Sequence, residues 1–230
     1  MSPTDWAPPD RRRIRAIHRR LQRFFGELVP PRASDPLDEL ILTVLSQHTS
    51  DLNADRAFRQ LRSAFPKGWH QVAHARTAQV ADAIRSGGLA NSKAPRLQAI
   101  LLEVRSREGR YALDRLRDLS DAEAREYLIS LPGIGPKTAA VVLSFSLGRD
   151  AMPVDTHVHR VTRRLGLIPP TTSAERADRL LHELVPEGMR TSLHVAFIRL
   201  GREICKAPTP RCRECPLLDL CPTGTARVRS

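Results

Sequence analysis

The chain has 230 residues, 41% of them hydrophobic, which is enough to bury a core as one large domain or two smaller ones. It carries no apolar run of membrane-spanning length, and arginines at positions 11, 12, 13 and 15 interrupt the stretch where a signal peptide needs apolar residues, so we expect an intracellular protein without a membrane partner. The net charge of +12 favours nucleic acid as a polyanionic partner, and the aromatic content of 4% argues against stacking on single strands.

Apolar residues recur at helical spacing along the chain, and no comparable stretch alternates with period two, so the sequence predicts an all-α fold. Residues 1–10 are rich in proline, and we expect them to be disordered. An amphipathic helix with a basic outer face follows, and then a proline joint at Pro30 and Pro31. The predicted buried faces are Ile14, Ile17, Leu21, Phe24 and Leu28; Leu37, Leu40, Ile41, Val44 and Leu45; Leu97, Ile100, Leu101 and Val104; Ala177, Leu180, Leu181 and Leu184; and Leu193, Ala196, Phe197 and Leu200.

Lysine is scarce, because 33 of the 37 basic residues are arginines. A guanidinium stays protonated, so a lysine retained in this background indicates chemistry that arginine cannot perform. The four lysines are Lys67, Lys93, Lys137 and Lys206.

Residues 131–139 form a tight turn between predicted helices at about 121–130 and 137–147. Gly133 and Gly135 flank Ile134 and let the backbone approach an anion, and Pro136 suits the first position of the second helix. The free N–H groups at that helix start, up to Thr138, then face a phosphate. A dinucleotide-binding loop is disfavoured because no strand precedes the turn and a third glycine is missing. An ordinary helix–helix turn remains the alternative.

The turn resembles the helix-hairpin-helix DNA-binding motif through its Leu-Pro-Gly-Ile-Gly core. Lys137 lies in this hairpin, and Asp155 follows 18 positions later in the segment Val-Asp-Thr-His-Val-His. The pair resembles the endonuclease III family. The resemblance implies a bifunctional DNA glycosylase and abasic-site (AP) lyase of base excision repair, which removes oxidised pyrimidines. The implied partner is double-stranded DNA containing damaged bases or abasic sites, bound by a monomer in the cytoplasm and associated with the nucleoid.

The resemblance assigns catalytic roles to Lys137 and Asp155. A neutral amine can attack the anomeric carbon of a damaged nucleotide, displace the base and leave a Schiff base that permits β-elimination. The positive end of the helix that begins beside Lys137 disfavours the charged ammonium form. Asp155 is expected to help move the lysine proton and to stabilise positive charge on the sugar, and it also suits the N-cap of the next helix. His157 and His159 point to different helix faces, which favours structural or phosphate-contacting roles over a metal site.

All four cysteines lie in the last 26 residues, with six, two and five residues between them, which favours metal binding over disulfides. Zinc and a [4Fe–4S] cluster both accept four thiolates, but zinc ribbons usually pair two Cys-x-x-Cys knuckles, and this chain has one. The spacing matches the iron–sulfur loop of the endonuclease III family, which implies a [4Fe–4S] cluster. The basic residues Lys206, Arg211 and Arg213 are then expected to contact the DNA backbone. The expected ligands are Cys205, Cys212, Cys215 and Cys221.

Two further segments resemble loops that the family inserts into the duplex when the target nucleotide is flipped out. Leu89 matches the wedge leucine, and Lys93 is expected to contact a phosphate. In the other segment the family commonly has glutamine where this chain has His48, so either Gln47 or His48 fills the vacated base position. Ser50 and Asp51 are expected to cap a helix.

The family architecture implies two helical domains with a DNA cleft between them, and Lys137 and Asp155 are expected to face each other across it. A six-helix barrel with the hairpin is expected over residues 37–150. The iron–sulfur domain is expected to combine residues 11–36 with residues 151–230.

Two alternatives stay open, a second kind of enzyme and a protein of a different functional class. A monofunctional mismatch glycosylase lacks the Schiff-base lysine, and only nine residues follow Cys221, so we expect no additional lesion-reading domain. A non-catalytic DNA-binding iron–sulfur protein could use the same hairpin and cluster. Covalent trapping on abasic DNA distinguishes this last alternative from the enzyme.

Overall fold

The structure, a computed structural model, describes residues 6–28 and 35–229. Within these ranges the chain forms α-helices joined by turns and short 3-10 segments, without a strand, which confirms the all-α prediction. In chain order the helices are α1 (Arg11–Phe25), α2 (Pro36–Ser46), α3 (Asp51–Ala64), α4 (Trp69–His74), α5 (Thr77–Ala83), α6 (Ala90–Glu108), α7 (Asp121–Ile129), α8 (Pro136–Phe145), α9 (Thr156–Arg164), α10 (Ala174–Leu184), α11 (Arg190–Glu203) and α12 (Pro222–Arg229).

The chain forms two compact units. One unit comprises Arg32–Gly148 and contains α2 to α8. The other comprises Met1–Pro31 together with Arg149–Ser230, and it contains α1 and α9 to α12. Among the residues that the structure describes, no helix is both long enough and apolar enough to cross a membrane.

Helix α2 is the apolar centre of the first unit and packs against α3, α6 and α8. Asp35 caps its start by accepting the N–H of Leu37 at 2.9 Å, and Pro36 occupies the first helical position, where a missing N–H costs nothing. The faces predicted for α2 and α6 are fully buried, as helical periodicity requires for helices that contribute to a core. They comprise Leu37, Leu40, Ile41, Val44 and Leu45 on α2, and Leu97, Ile100, Leu101 and Val104 on α6.

The second unit has its own hydrophobic core, in which α11 packs against α1 and α9. Leu193, Ala196, Phe197 and Leu200 supply the buried face of α11, as predicted. On α1, Arg13 donates to the carbonyl oxygens of Leu165 at 2.5 Å and Leu220 at 2.9 Å. The N-terminal helix is therefore tied to the cysteine-containing end of the chain by hydrogen bonds as well as by apolar packing.

Phe24 corrects the face predicted for α1, because its side chain is 50% exposed. Phe25, four residues after the buried Leu21, packs against the core instead, and the Arg199 guanidinium lies 4.4 Å from its ring centroid. Both 24 and 25 continue the helical period from Leu21, so spacing alone does not choose between them.

The predicted disorder of residues 1–10 does not extend to residues 6–10. The Trp6 indole donates to the carbonyl oxygen of Gly166 at 3.1 Å, and the Asp10 carboxylate caps α1 by accepting the N–H of Arg12 at 3.0 Å. Residues 1–5 lie outside the described part of the chain, and so does the predicted joint at Pro30 and Pro31.

Candidate active site and nucleic-acid interface

The predicted hairpin lies between the end of α7 and the start of α8, within one residue or two of the predicted bounds. Leu131 and Ile134 anchor it, since both side chains are buried. Gly133 adopts φ +70°, and a Cβ at this position would lie 3.0 Å from Cδ and Nε of Arg96. Glycine is therefore required here both by the backbone conformation and by the side chain packed beside it.

The start of α8 offers main-chain donors. Its N-cap, Gly135, makes no side-chain cap, and the first intrahelical hydrogen bond joins the N–H of Ala139 to the Gly135 carbonyl. The N–H groups of Lys137 and Thr138 in the first turn thus have no intrahelical acceptor, which is the arrangement that binds an anion. A Cβ on Gly135 would meet no atom within 4 Å, so the surface in front of this helix start is open.

The side chains of two predicted DNA-binding residues in the hairpin, Ile134 and Thr138, are not available to DNA. The side chains of Ile134 and Thr138 are buried, at 4% and 5% exposure, because they pack into the unit beneath the turn. The Ile134 N–H already donates to the Leu131 carbonyl at 3.2 Å. Thr138 can contact a phosphate through its backbone N–H, whereas Ile134 serves as an anchor.

Lys137 lies in the first turn of α8 with an exposed side chain. Its ammonium group and the uncapped N–H groups beside it form one positively polarised surface. A primary amine in this position can reach a phosphate or attack an electrophilic carbon of a bound sugar.

Asp155, in the other unit, is half-buried and caps α9. Its Oδ1 accepts the N–H of Val158 at 2.7 Å, as predicted from its position before the helix. Among the described residues, no donor forms a hydrogen bond with the second carboxylate oxygen, Oδ2. The carboxylate therefore combines a structural hydrogen bond with one oxygen that is available for a ligand.

The two histidines after Asp155 serve the fold. Nε2 of His159 lies 2.7 Å from the Thr172 carbonyl oxygen, and Nδ1 of His157 lies 3.0 Å from the Arg160 guanidinium. Each imidazole therefore has a separate hydrogen-bond partner within its own unit.

The two predicted insertion segments share an uncommon backbone feature. His48 adopts φ 55° and Leu89 adopts φ 50°, the only positive values for non-glycine residues in the described ranges. Both side chains are exposed, and Leu89 is 58% exposed although it is apolar. A strained backbone that presents side chains to solvent is typical of a functional site. Ser50 caps α3 as predicted, because its hydroxyl accepts the N–H of Asn53 at 3.3 Å.

Lys93 corrects a predicted phosphate contact. Its side chain is 2% exposed, and Nζ donates to the carbonyl oxygens of Leu45 at 2.6 Å and Gly87 at 2.8 Å. Burial lowers the pKa of this ammonium, and the neighbouring Arg96 charge lowers it further. The amine is thus directed into the protein, away from DNA.

Arg96 is a site residue that the sequence did not reveal. Its guanidinium donates to Oε1 of Gln47 at 3.0 Å, and its side chain covers Gly133 of the hairpin. One arginine therefore contacts an insertion segment and the hairpin together. The only sequence signal is its position one helical turn after Lys93, in a chain where arginine is common.

The four cysteines are brought together as predicted, since all of them line one cavity. The other walls are largely apolar and include Ile204, Pro210 and Leu218. Among the described residues, no three or more His, Cys, Asp or Glu side chains are spaced so that they could hold a metal ion as they stand. The residues nevertheless fit a four-thiolate cluster, because the donors are four sulfurs on one apolar cavity without a competing carboxylate or imidazole.

The surroundings of two of the sulfur atoms disfavour free thiolates. Burial raises the pKa of the Cys215 thiol to about 11 and raises that of Cys221, so these groups are protonated near neutral pH unless a metal compensates the thiolate charge. Polar hydrogens already reach the sulfurs: Arg164 donates to Sγ of Cys205, and the Gly224 N–H donates to Sγ of Cys221, both at 3.3 Å.

The basic residues of the cysteine loop differ in how freely their side chains could contact a DNA backbone. Lys206 and Arg213 are exposed, as a backbone contact requires. Arg211 is exposed but donates to the Glu203 carbonyl at 2.5 Å and to the Glu214 carboxylate at 2.8 Å. Its predicted DNA contact therefore competes with a role in bracing the loop.

The chain matches the family model described as HhH-GPD superfamily base excision DNA repair protein over residues 41–187. It is 34% identical over 190 residues to endonuclease III of Thermotoga maritima, covering 83% of this chain and 84% of that protein. It is 35% identical over 192 residues to a protein of Arabidopsis thaliana that is named as a DNA glycosylase, covering 79% of this chain and 65% of that protein, just under two thirds of its length.

Among solved structures, the chain resembles that of a trapped endonuclease III–DNA covalent intermediate. The TM-score is 0.82 with 31% sequence identity, and the match covers 96% of this chain and 100% of the other. The extent of these matches adds to the hairpin, the uncapped helix start and the strained turns described above. The chain belongs to the endonuclease III family, within the HhH-GPD superfamily of base excision DNA repair proteins, and it is a DNA glycosylase.

Proposed function

We propose that the protein is a bifunctional DNA glycosylase and AP lyase that removes oxidised pyrimidines from duplex DNA, with Lys137 as the nucleophile. The observation that carries the proposal is the exposed primary amine of Lys137 in the first turn of α8, beside N–H groups with no intrahelical acceptor. The hairpin binds the phosphate backbone, and the amine is then presented to the sugar next to the bound phosphate. The similarity to a trapped covalent endonuclease III–DNA intermediate supports the same chemistry.

In the proposed reaction the neutral Lys137 amine bonds to C1′ of the damaged nucleotide while the glycosidic bond breaks. The base leaves with the bonding electron pair and takes up a proton, which balances the proton that the newly bonded amine gives up. The sugar ring opens to a protonated Schiff base. Loss of a C2′ proton then expels the 3′ phosphate by β-elimination, and water hydrolyses the Schiff base to regenerate the lysine. No external oxidant or reductant is needed.

Asp155 is proposed to assist the first half of this reaction. Its carboxylate accepts the proton that Lys137 must lose and stabilises the positive charge that develops on the sugar. Oδ1 is used by the Val158 N–H, so Oδ2 is the oxygen we assign to this role.

Gln47, His48 and Leu89 are proposed to enter the duplex around the flipped nucleotide. The exposure and the left-handed backbone of His48 and Leu89 support this assignment, and Gln47 is half-buried beside His48. Lys206, Arg213 and the main chain of Gly133, Gly135, Lys137 and Thr138 are proposed to contact phosphates. The preference for oxidised pyrimidines rests on the resemblance to endonuclease III.

The four cysteines are proposed to hold a [4Fe–4S] cluster. The four cysteine thiolates would hold the cluster and so tie the C-terminal loop together, which would keep the basic residues of that loop toward the DNA backbone. Arg164 and the Gly224 N–H are placed to donate to its sulfur ligands.

Lys137→Gln tests the proposal, because the amide keeps a side chain of similar length but cannot form a Schiff base. We expect loss of strand cleavage and of borohydride trapping on abasic duplex, with duplex binding retained. Lys67→Gln, which changes an exposed lysine outside the hairpin, is the matched control and is expected to behave as wild type. Cleavage and trapping by the Lys137→Gln protein would assign the nucleophile to another amine. A panel of duplexes, each with a different damaged base, measures the substrate preference.

A further inference from the structure

Lys93 is a lysine whose charged end is almost completely removed from solvent. It belongs to the first turn of α6, and its side chain is 2% exposed. Its ammonium group donates to two main-chain carbonyls that come from different parts of the chain, Leu45 at 2.6 Å and Gly87 at 2.8 Å. Burying a cation is costly, and such a group persists where its hydrogen bonds compensate for the lost hydration.

Each of the two carbonyls lies two or three residues before a residue with left-handed backbone, His48 or Leu89. Leu45 lies in the last turn of α2, three residues before His48. Gly87 ends a 3-10 segment, two residues before Leu89. Helix ends leave carbonyl groups without intrahelical partners, and a cation at this end also interacts favourably with the helix dipole.

The same two segments touch each other directly at Gly87. A Cβ at this position would lie 3.1 Å from Cβ of Ala57 and 3.8 Å from the Leu45 oxygen. The absence of a side chain therefore lets the two carbonyls approach one ammonium group. Left-handed backbone at non-glycine residues such as His48 and Leu89 is unfavourable and persists only when the surroundings hold it.

We propose that Lys93 is a positioning residue that holds the His48 turn and the Leu89 turn in fixed register, so that both enter the duplex as one unit. The proposal rests on the proposed function, which places Gln47, His48 and Leu89 at the flipped nucleotide. Arg96, one helical turn further along α6, extends the same connection by donating to Gln47 and covering Gly133. Lys93 itself touches neither DNA nor the reacting atoms in this scheme.

Lys93→Met keeps most of the buried stem and removes the donors from both carbonyls. The matched control is Gln98→Met, on the same helix and also buried, because its amide donates to two carbonyls at Val72 and Ala75, away from the turns. Each variant removes the side-chain donor from two main-chain carbonyls, and Gln98→Met also removes the acceptor of the Thr77 hydroxyl, so both are expected to lose thermal stability. A purely structural role for Lys93 predicts that the two variants also behave alike on DNA.

The readouts are base removal from a damaged duplex and the fluorescence of 2-aminopurine next to the lesion, which rises when the base is unstacked. Both are measured at a fixed interval below the melting temperature of each variant. We expect Lys93→Met to reduce base removal by about tenfold or more, since small displacements of positioning groups have effects of this size or larger, and to reduce the fluorescence rise. We expect Gln98→Met to retain both.

Gly87→Ala is a second probe that leaves Lys93 intact. Its added Cβ pushes the Gly87 segment away from Ala57, so the same selective defect is expected even if Lys93→Met fails to fold. Leu89→Ala distinguishes the positioning role of Lys93 from the assignment of Leu89 to the duplex. If Leu89→Ala loses the fluorescence rise while Lys93→Met and Gly87→Ala keep it, the positioning role is wrong and the proposed function stands. If Leu89→Ala keeps the rise and base removal, the loop assignment in the proposed function is wrong, and the role of Lys93 is overturned with it.

Discussion

Asp155 has two roles in this account, capping α9 and assisting base removal, and substitutions can separate them. The cap is the hydrogen bond from the Val158 N–H to Oδ1, 2.7 Å long. It fixes the start of a helix whose side chains Val158, Val161 and Thr162 are buried. Asn keeps an oxygen in the same place, whereas Ala removes it.

The expected stability changes follow from the cap alone. Asp155→Ala should cost about 1 kcal/mol, the usual effect of losing an N-cap. For a chain of this size that lowers the melting temperature by roughly 2–4 °C. Asp155→Asn should stay close to wild type because Asn is an equally good N-cap. Ser173→Ala is the control, since Ser173 caps α10 of the same unit by accepting the Arg176 N–H at 3.3 Å.

The assay compares base removal on damaged duplex with cleavage of a pre-formed abasic site, where no base has to be expelled. We expect Asp155→Asn and Asp155→Ala to lose base removal by about 100-fold or more, while abasic-site trapping falls less. Ser173→Ala should lose stability but retain both activities. Near-wild-type base removal by Asp155→Asn would reduce Asp155 to a helix cap and refute its catalytic assignment.

Two further predictions concern the hairpin and the cysteine loop. Gly135→Val should weaken duplex binding without lowering stability, because the Gly135 backbone is extended at φ −101° and an added Cβ would meet no protein atom. Gly133→Ala should also destabilise the hairpin, because Gly133 adopts φ +70° and an added Cβ would contact Arg96. If fluorescence anisotropy gives wild type and Gly135→Val the same duplex affinity, this helix start is not part of the interface. Protein purified anaerobically should contain about four iron atoms per chain, as measured by metal analysis. Cys212→Ser should lose iron, and limited proteolysis should show that its own unit is destabilised while the hairpin unit stays intact. Stoichiometric zinc without iron would contradict the assignment of a [4Fe–4S] cluster.

The sequence predicted the helices and most of their buried faces because periodicity and capping act locally. Leu37 to Leu45 on α2 and Asp35 or Ser50 at helix starts illustrate this, since each depends on neighbours within a turn or two. Phe24 shows the limit: Phe24 and Phe25 fit the same period, and the packing of α11, which begins at Arg190, decides between them.

The turn between α7 and α8 and the convergence of the four cysteines on one cavity were predictable, because each depends on a short motif. The buried position of the Lys93 amine was not predictable, because its acceptors lie 48 and six positions away and are main-chain oxygens that any residue could supply. Arg96 was missed for the same reason, since its contact with Gln47 spans 49 positions. A lysine expected from the sequence to reach a phosphate is therefore buried and bonded to main-chain carbonyls in the structure.

The central claim is that the Lys137 amine forms the covalent bond to the sugar. Wild-type protein reduced with borohydride on abasic duplex can be digested with nuclease and trypsin and analysed by mass spectrometry. Modification of Lys137 blocks cleavage after it, so the adduct should appear in a single peptide covering residues 126–149, with the added mass of the reduced sugar on Lys137. An adduct on the N-terminal amine or on Lys67, Lys93 or Lys206, with residue 137 unmodified, would contradict the account.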